Sequence, residues 1–181
     1  MIARARIPNL LTFARVAAVP LCLALMLFHP APQPALFVIF VLASLTDFLD
    51  GHLARKWNAT SAIGTLLDPV ADKLLVALVL VYLAVDSRGA LFLPAVVIIL
   101  RELYISGLRE FLAARQIALP VSRSGKWKTA MQMTGIGLVL GALTVVGPLL
   151  MKLGTLLIWL SAVLALTSAV DYTRAAWRSL R

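Results

Sequence analysis

The run Thr129-Ala130-Met131-Gln132-Met133-Thr134-Gly135-Ile136-Gly137-Leu138-Val139-Leu140-Gly141-Ala142-Leu143-Thr144-Val145-Val146-Gly147-Pro148-Leu149-Leu150-Met151 holds no ionisable side chain in 23 residues. A helix of about 20 apolar residues crosses the hydrocarbon core of a bilayer. Blocks of the same kind flank it. Upstream they cover roughly residues 9–28, 35–55, 62–85 and 90–114, and downstream 153–174. Between them lie a three-proline stretch (His29 to Pro34), a polar turn (Lys56 to Ser61), a tight connection (Asp86 to Gly89) and a longer loop (Arg115 to Lys128). Proline cannot continue a helix without losing a donor and clashing with the preceding turn, so the first of these must break the chain. Pro20 is expected to kink the first span.

Composition agrees. Of 181 residues, 61% are apolar and 14% charged, with a mean hydropathy of +0.95. An ordinary soluble domain is nearer half apolar and a quarter charged. Soluble enzymes, disordered chains and coiled coils are thereby disfavoured. The fold class expected is all-α: a polytopic membrane protein with six transmembrane helices, one domain over residues 1–181, and residues 1–8 as a short juxtamembrane segment. A cleavable signal peptide is not expected, because Arg15 interrupts the first apolar run.

The net charge is +9, from 17 Lys plus Arg against 8 Asp plus Glu. In a soluble chain this would suggest a nucleic-acid partner; here it sorts by side of the membrane, and nucleic acid is not implied. Six spans put both termini together. Their side carries Arg4, Arg6, Arg55, Lys56, Arg115, Arg123, Lys126, Lys128, Arg174, Arg178 and Arg181, against Arg88 and Lys152 on the other. The positive-inside rule then makes both termini cytoplasmic. Arg15, Lys73, Arg101 and Arg109 remain inside spans, as do Asp47, Asp50, Asp68 and Asp72. Intramembrane charge is costly and normally faces a wet or paired interior. A polar cavity open to the cytoplasm, lined by spans one to four, is expected.

The aspartates carry the chemistry. At about 100° per residue, Asp47, Asp50, Gly51 and Ala54 share one face of a helix, and Gly64, Asp68 and Asp72 stand four apart on the next. A short connection makes the two helices antiparallel neighbours, so four carboxylates would converge. In low dielectric they need counter-charge. Lys73 and Arg55 supply some; divalent cations supply it better. Hard oxygen ligands suit Mg²⁺ or Mn²⁺, and two such ions form a standard clamp for phosphoryl transfer. Helix capping accounts for one or two of these aspartates, not for four at helical spacing.

The string Asp47-x2-Asp50-Gly51-x2-Ala54-Arg55-x8-Gly64-x3-Asp68-x3-Asp72 resembles the full signature of the CDP-alcohol phosphotransferases. The segments Ile7 to Arg15, Leu67 to Leu74, Arg101 to Glu110 and Gly125 to Thr129 resemble the bacterial branch of that family that uses glycerol 3-phosphate. The resemblance implies six transmembrane helices, a homodimer among membrane lipids, and a site facing the cytoplasm in the bacterial inner (cytoplasmic) membrane. It implies metal-dependent transfer of a phosphatidyl group from CDP-diacylglycerol to glycerol 3-phosphate, with release of CMP. It makes Asp47, Asp50, Asp68 and Asp72 metal ligands and Asp72 also the general base. It puts Gly51, Arg55 and Ser61 on the donor's cytidine diphosphate, with Asn9, Thr12 and Arg15 near its phosphates or base.

An acceptor that is a phosphate dianion needs cations. Arg101 and Arg109 lie eight residues apart on span four, about 80° around the helix, so both can face one cavity; Lys126 precedes span five. Guanidinium forks suit phosphate. The competing reading pairs Arg101 with Glu102 and lets Arg109 and Lys126 snorkel. Other acceptors within the family, giving cardiolipin, phosphatidylserine or phosphatidylinositol, and a divalent-cation transporter, are the alternatives. Cys22 reads as packing, and His29 and His52 lack metal-ligand spacing. Gly137-x3-Gly141 reads as a close helix contact, and Trp57, Trp127 and Trp177 as an interfacial belt.

Overall fold

A computed structural model of the protein describes residues 2–28, 32–57, 62–87, 89–117 and 123–180; side chains are described from Thr12 onward, except in 47–57, 62–66, 68, 69, 123 and 124. The described residues form six helices and no strand: α1 (Ile2–Met26), α2 (Gln33–Trp57), α3 (Ala62–Asp86), α4 (Phe92–Ala113), α5 (Arg123–Val145) and α6 (Pro148–Ser179). Two compact units are distinguished, residues 1–82 with 140–147, and residues 83–139 with 148–181.

The apolar blocks anticipate α2, α3 and α4 to within two residues at each end. Elsewhere the helices depart from them. Helix α1 begins at Ile2, inside the expected juxtamembrane segment, and runs unbroken past Pro8 and Pro20. Helix α5 begins six residues before the uncharged run, so Lys126 and Lys128 lie on a helix rather than in a loop. It also ends six residues before that run does. Val146 turns to φ +50° and the Gly147 amide reaches back to the Ala142 carbonyl at 3.1 Å, a Schellman-type closure. Pro148 then opens α6, where its missing N–H costs nothing. Lys152 therefore sits in the second turn of α6, not in a loop. Hydropathy reports where apolar residues lie; it does not report where a helix stops within them. The same closure ends α4: Gln116 has φ +60°, and the Gln116 and Ile117 amides bond the Ala113 and Leu112 carbonyls.

In the first unit α1 packs along α2. Gln33, in the first turn of α2, donates from Nε2 to the Tyr82 hydroxyl near the end of α3 at 2.5 Å. That contact is what antiparallel neighbours require. In the second unit α4 packs along α6. The buried stripe of α6 is Gly154, Ile158, Ser161, Ala162, Ala165, Ser168, Tyr172 and Ala176. Its outer face shows Leu153, Leu156, Leu160, Val163, Leu166 and Val170. Small and polar residues are inside and large apolar ones outside, the reverse of a water-soluble helix. Among the described residues, α6 is the helix long and apolar enough by itself to cross a membrane; Thr12–Met26 and Gln33–Thr46 are shorter apolar stretches.

Small residues let helices approach closely, and the structure shows which ones do so. A Cβ at Gly154 would lie 2.7 Å from Val139 Cγ2, 2.8 Å from the Gly135 carbonyl and 2.9 Å from the Val139 amide nitrogen. A Cβ at Gly135 would meet Ile158 Cγ1 at 2.9 Å and the Gly154 carbonyl at 3.0 Å. The tight crossing is therefore Gly135 on Gly154. Of the pair expected from sequence, Gly137 has open space and Gly141 only touches the Phe37 ring, at 3.4 Å. We expect Gly154→Ala to lower the unfolding midpoint in detergent, because backbone atoms cannot yield and overpacking costs about 1–3 kcal/mol. Gly137→Ala should leave it unchanged or raise it, by up to about 1 kcal/mol of helix propensity. Equal midpoints for the two variants would remove the crossing from this account.

Candidate functional site

Asp47 and Asp50 lie on the last three turns of α2, and Asp68 and Asp72 on the second and third turns of α3. Helix continues through both motifs, so the spacing of three and four residues does place each pair on successive turns of one face. The side chains of Asp47, Asp50 and Asp68 lie outside the described residues, as do those of Asn9, Gly51, Arg55 and His52; Ser61 and His29 lie outside them altogether. Asp72 is half-buried beside buried Ala71 and Leu75 and is engaged in contacts of its own. Among the described residues no three metal-ligating side chains gather. Asp72, the member of the expected set whose side chain is described, offers carboxylate oxygens of the hard type that suits a divalent cation.

Two residues expected near the donor are described. Thr12 and Arg15 are both 2% exposed. They stand three apart on α1, where Arg15 borders a cavity of about 260 Å³ with Ala14, Ala17, Ala18, Leu21, Ile39, Leu42, Ala43 and Thr46 from α1 and α2. An arginine that deep on an apolar helix is held in place by interactions, and Arg15 has them. Cys22 is fully buried on the same helix, as a packing residue would be.

The second unit contains a polar network on α4, α5 and α6. The inner face of α4 runs Pro94, Ala95, Ile98, Ile105 and Leu112, and helical spacing puts Arg101 between Ile98 and Ile105, and Arg109 between Ile105 and Leu112. Arg101 donates from Nη1 to Glu102 Oε1 at 2.8 Å and from Nη2 to Ser168 Oγ at 3.1 Å. Lys128 of α5, 2% exposed, donates to the same Glu102 oxygen. Arg109, exposed at the surface, donates from Nη2 to the Tyr172 hydroxyl at 2.9 Å. Both guanidinium groups lie over the Tyr172 ring, at 5.7 Å for Arg101 and 5.1 Å for Arg109. Arg101 Nε is buried without a hydrogen-bond partner among the described residues.

The structure thus brings Arg101 and Arg109 to one ring and includes the Arg101–Glu102 pair that the competing reading named. Lys126, the third cation expected, is exposed and outside this network. Lys128, two residues on, takes the buried place. Charge and hydropathy place it in a loop, because the uncharged run begins only at Thr129. Tyr172 and Ser168 were missed as well. Their signal was a pair of polar residues four apart on α6, facing the same way as Ala165 and Ala176. Trp127 and Trp177 are exposed, as an interfacial belt requires.

The described contacts of this group join three cations to one carboxylate. Glu102 is what holds the buried cations, so removing its charge should unfold the unit more easily. Glu102→Gln and Lys128→Met should each lower the unfolding midpoint. The double variant should lose less than the two together, with a coupling of roughly 1–3 kcal/mol in a double-mutant cycle. Strict additivity would mean that the pair is a bystander.

Comparison with known proteins finds relatives of the chain. A family model described as CDP-alcohol phosphatidyltransferase matches residues 5–167. A Rickettsia bellii (strain RML369-C) protein named CDP-diacylglycerol--glycerol-3-phosphate 3-phosphatidyltransferase is 40% identical over 171 residues, covering 93% of this chain and 94% of its own. A Cereibacter sphaeroides protein of the same name is 42% identical over 137 residues, 74% of this chain and 62% of its own. A Cardiolipin synthase (CMP-forming) of Oryza sativa subsp. japonica is 40% identical over 191 residues, 96% of this chain and 58% of its own.

Proposed function

The chain belongs to the CDP-alcohol phosphatidyltransferase family, and from that premise we propose that it makes phosphatidylglycerophosphate and CMP from CDP-diacylglycerol and glycerol 3-phosphate. The observation that carries the choice of acceptor is the cationic group on α4, with Arg101 and Arg109 on one aromatic ring. A phosphate monoester is a dianion, which two guanidinium groups suit. Serine and inositol bring no phosphate. Phosphatidylglycerol, the acceptor a cardiolipin synthase would need, brings only a singly charged diester. The relatives from Rickettsia bellii and Cereibacter sphaeroides carry names that agree.

The enzyme works as an integral membrane protein with six spans and both termini cytoplasmic, in a bacterial inner membrane, as a homodimer. The outward-facing leucines and valines of α6 support its place in lipid, and the lopsided distribution of Lys and Arg supports its orientation. Asp47, Asp50, Asp68 and Asp72 would hold Mg²⁺ or Mn²⁺, with two ions suiting four carboxylates. A divalent cation there supplies charge neutralisation for the donor's pyrophosphate.

The chain's own residues do the rest. Asn9, Thr12, Arg15, Gly51, Arg55 and Ser61 bind and orient the donor's cytidine diphosphate. Arg101 and Arg109 bind the acceptor's phosphate; Lys126, at the surface end of α5, adds positive potential along the acceptor's approach. Asp72 takes the proton from the acceptor hydroxyl. The hydroxyl oxygen attacks the phosphorus that bears diacylglycerol, the bond from that phosphorus to the CMP oxygen breaks, and CMP leaves with the electron pair. The transfer is direct, with no covalent enzyme intermediate.

CMP release from CDP-diacylglycerol, followed with each acceptor in turn, tests the reaction. Glycerol 3-phosphate should stimulate it; stimulation by serine, inositol or phosphatidylglycerol alone would reassign the acceptor. Metal entry into proteoliposomes without CMP release would favour a transporter instead. Asp72→Asn should reduce turnover at least about 10³-fold in folded, membrane-inserted protein, as loss of a general base combined with a metal ligand does. Near-normal turnover in that variant would remove Asp72 from the role of base.

A further inference from the structure

Tyr172 is 3% exposed and lies on α6, more than sixty residues from either arginine in the chain. Its ring and its hydroxyl do different things. The ring face lies within 6 Å of both guanidinium carbons, the range in which a cation is drawn to an aromatic face. The hydroxyl accepts from Arg109 Nη2 at 2.9 Å. One side chain therefore restrains two like charges that sit two helical turns apart on α4.

Those charges repel, and each is otherwise held differently. Arg101 is anchored by Glu102 and Ser168. Arg109 is exposed, and a long side chain at a surface samples many rotamers unless something fixes it. The aromatic ring and the hydroxyl are what fix it. A guanidinium recognises phosphate through a planar fork, so its orientation matters as much as its charge.

We propose that Tyr172 is a positioning residue for the acceptor: it sets the orientation of Arg109 relative to Arg101 so that both forks address one phosphate monoester. The inference rests on the reading of Arg101 and Arg109 as the acceptor-phosphate residues. The phosphate is not the reacting group and keeps its charge through the reaction. Interactions with it are therefore equal in ground and transition states, and their loss appears in KM rather than kcat.

The experiment uses the purified full chain in detergent micelles with Mg²⁺ and CDP-diacylglycerol, and varies glycerol 3-phosphate. Tyr172→Phe keeps the ring and removes the hydroxyl; Tyr172→Leu removes both; Arg109→Ala removes the cation itself. For Tyr172→Phe the KM for glycerol 3-phosphate should rise roughly three- to tenfold, the effect of losing one hydrogen bond of ordinary net strength while the cation itself remains. Its kcat, its KM for CDP-diacylglycerol and its unfolding midpoint should stay near those of the parent. Tyr172→Leu should raise the acceptor KM further, and Arg109→Ala at least as far. An unchanged acceptor KM in Tyr172→Phe beside a raised one in Arg109→Ala overturns the role of Tyr172 alone. An unchanged acceptor KM in Arg109→Ala overturns the assignment beneath it. A fall in kcat and stability with no selective change in acceptor KM would make Tyr172 a packing residue. Should Tyr172→Leu not fold, the isosteric Phe variant decides the matter.

Discussion

Glu102 accepts hydrogen bonds from Arg101 and Lys128 at one carboxylate oxygen, and the second unit is organised around that contact. An ionised side chain among apolar helices is tolerated where opposite charge meets it, and breaking such a pair on one side leaves an uncompensated charge. The contact ties α4 to α5. Arg101 then carries the connection to α6 through Ser168, and Arg109 does so again through Tyr172. Three helices are thereby fixed in register by six polar side chains. Hydrophobic contact alone could not do this where the surroundings outside the bundle are also apolar, because sliding one helix past another would then cost little.

The small residues of α6 make this network possible. Ala165, Ser168 and Ala176 occupy little space on the face toward α4, and so leave room for two arginines and a tyrosine to lie between the helices. Gly154 and Gly135 play the corresponding part against α5, where no side chain fits at all. Leucines that would fill a soluble core are turned outward instead. The same inversion that suits the chain to lipid creates the space in which its charged residues meet.

Much of this was legible in the sequence, for identifiable reasons. The apolar blocks gave six helices because a bilayer imposes a length, and α2, α3 and α4 end close to where their blocks end. The four aspartates stood out because intramembrane acids are rare, and Arg101 and Arg109 for the same reason among bases. What stayed hidden depends on distance rather than composition. The break at Val146 and Gly147 falls within an uncharged run, so nothing in charge or hydropathy marks it. Lys128 resembles its neighbour Lys126 in every one-dimensional property, yet one is buried against Glu102 and the other faces outward. The difference is a matter of angle around α5, and that could be reckoned only after the helix was known to start at Arg123. Tyr172 was ambiguous in the same way, since a lone tyrosine on an apolar helix is ordinary.

On the proposed reading, the two motifs divide the charge of one reaction between its donor and its acceptor. The aspartates of α2 and α3, as the proposed metal ligands, would attract cations and repel phosphate; the described group on α4 is cationic and does the opposite. The donor carries a pyrophosphate, whose charge shifts toward CMP as the bond breaks. The acceptor carries a phosphate monoester, whose charge does not change. A site for the first must respond to developing charge, which suits carboxylates working with mobile, strongly charged cations. A site for the second needs only fixed complementary charge in a set orientation, which suits guanidinium groups held by an aromatic ring and a buried carboxylate. Because the phosphate passes unaltered into phosphatidylglycerophosphate, arginines that bind the acceptor in the proposed way would hold product as they held substrate. On that reading, release would depend on the departure of CMP and on the new diacylglycerol ester drawing the product into lipid, rather than on any weakening at Arg101 and Arg109.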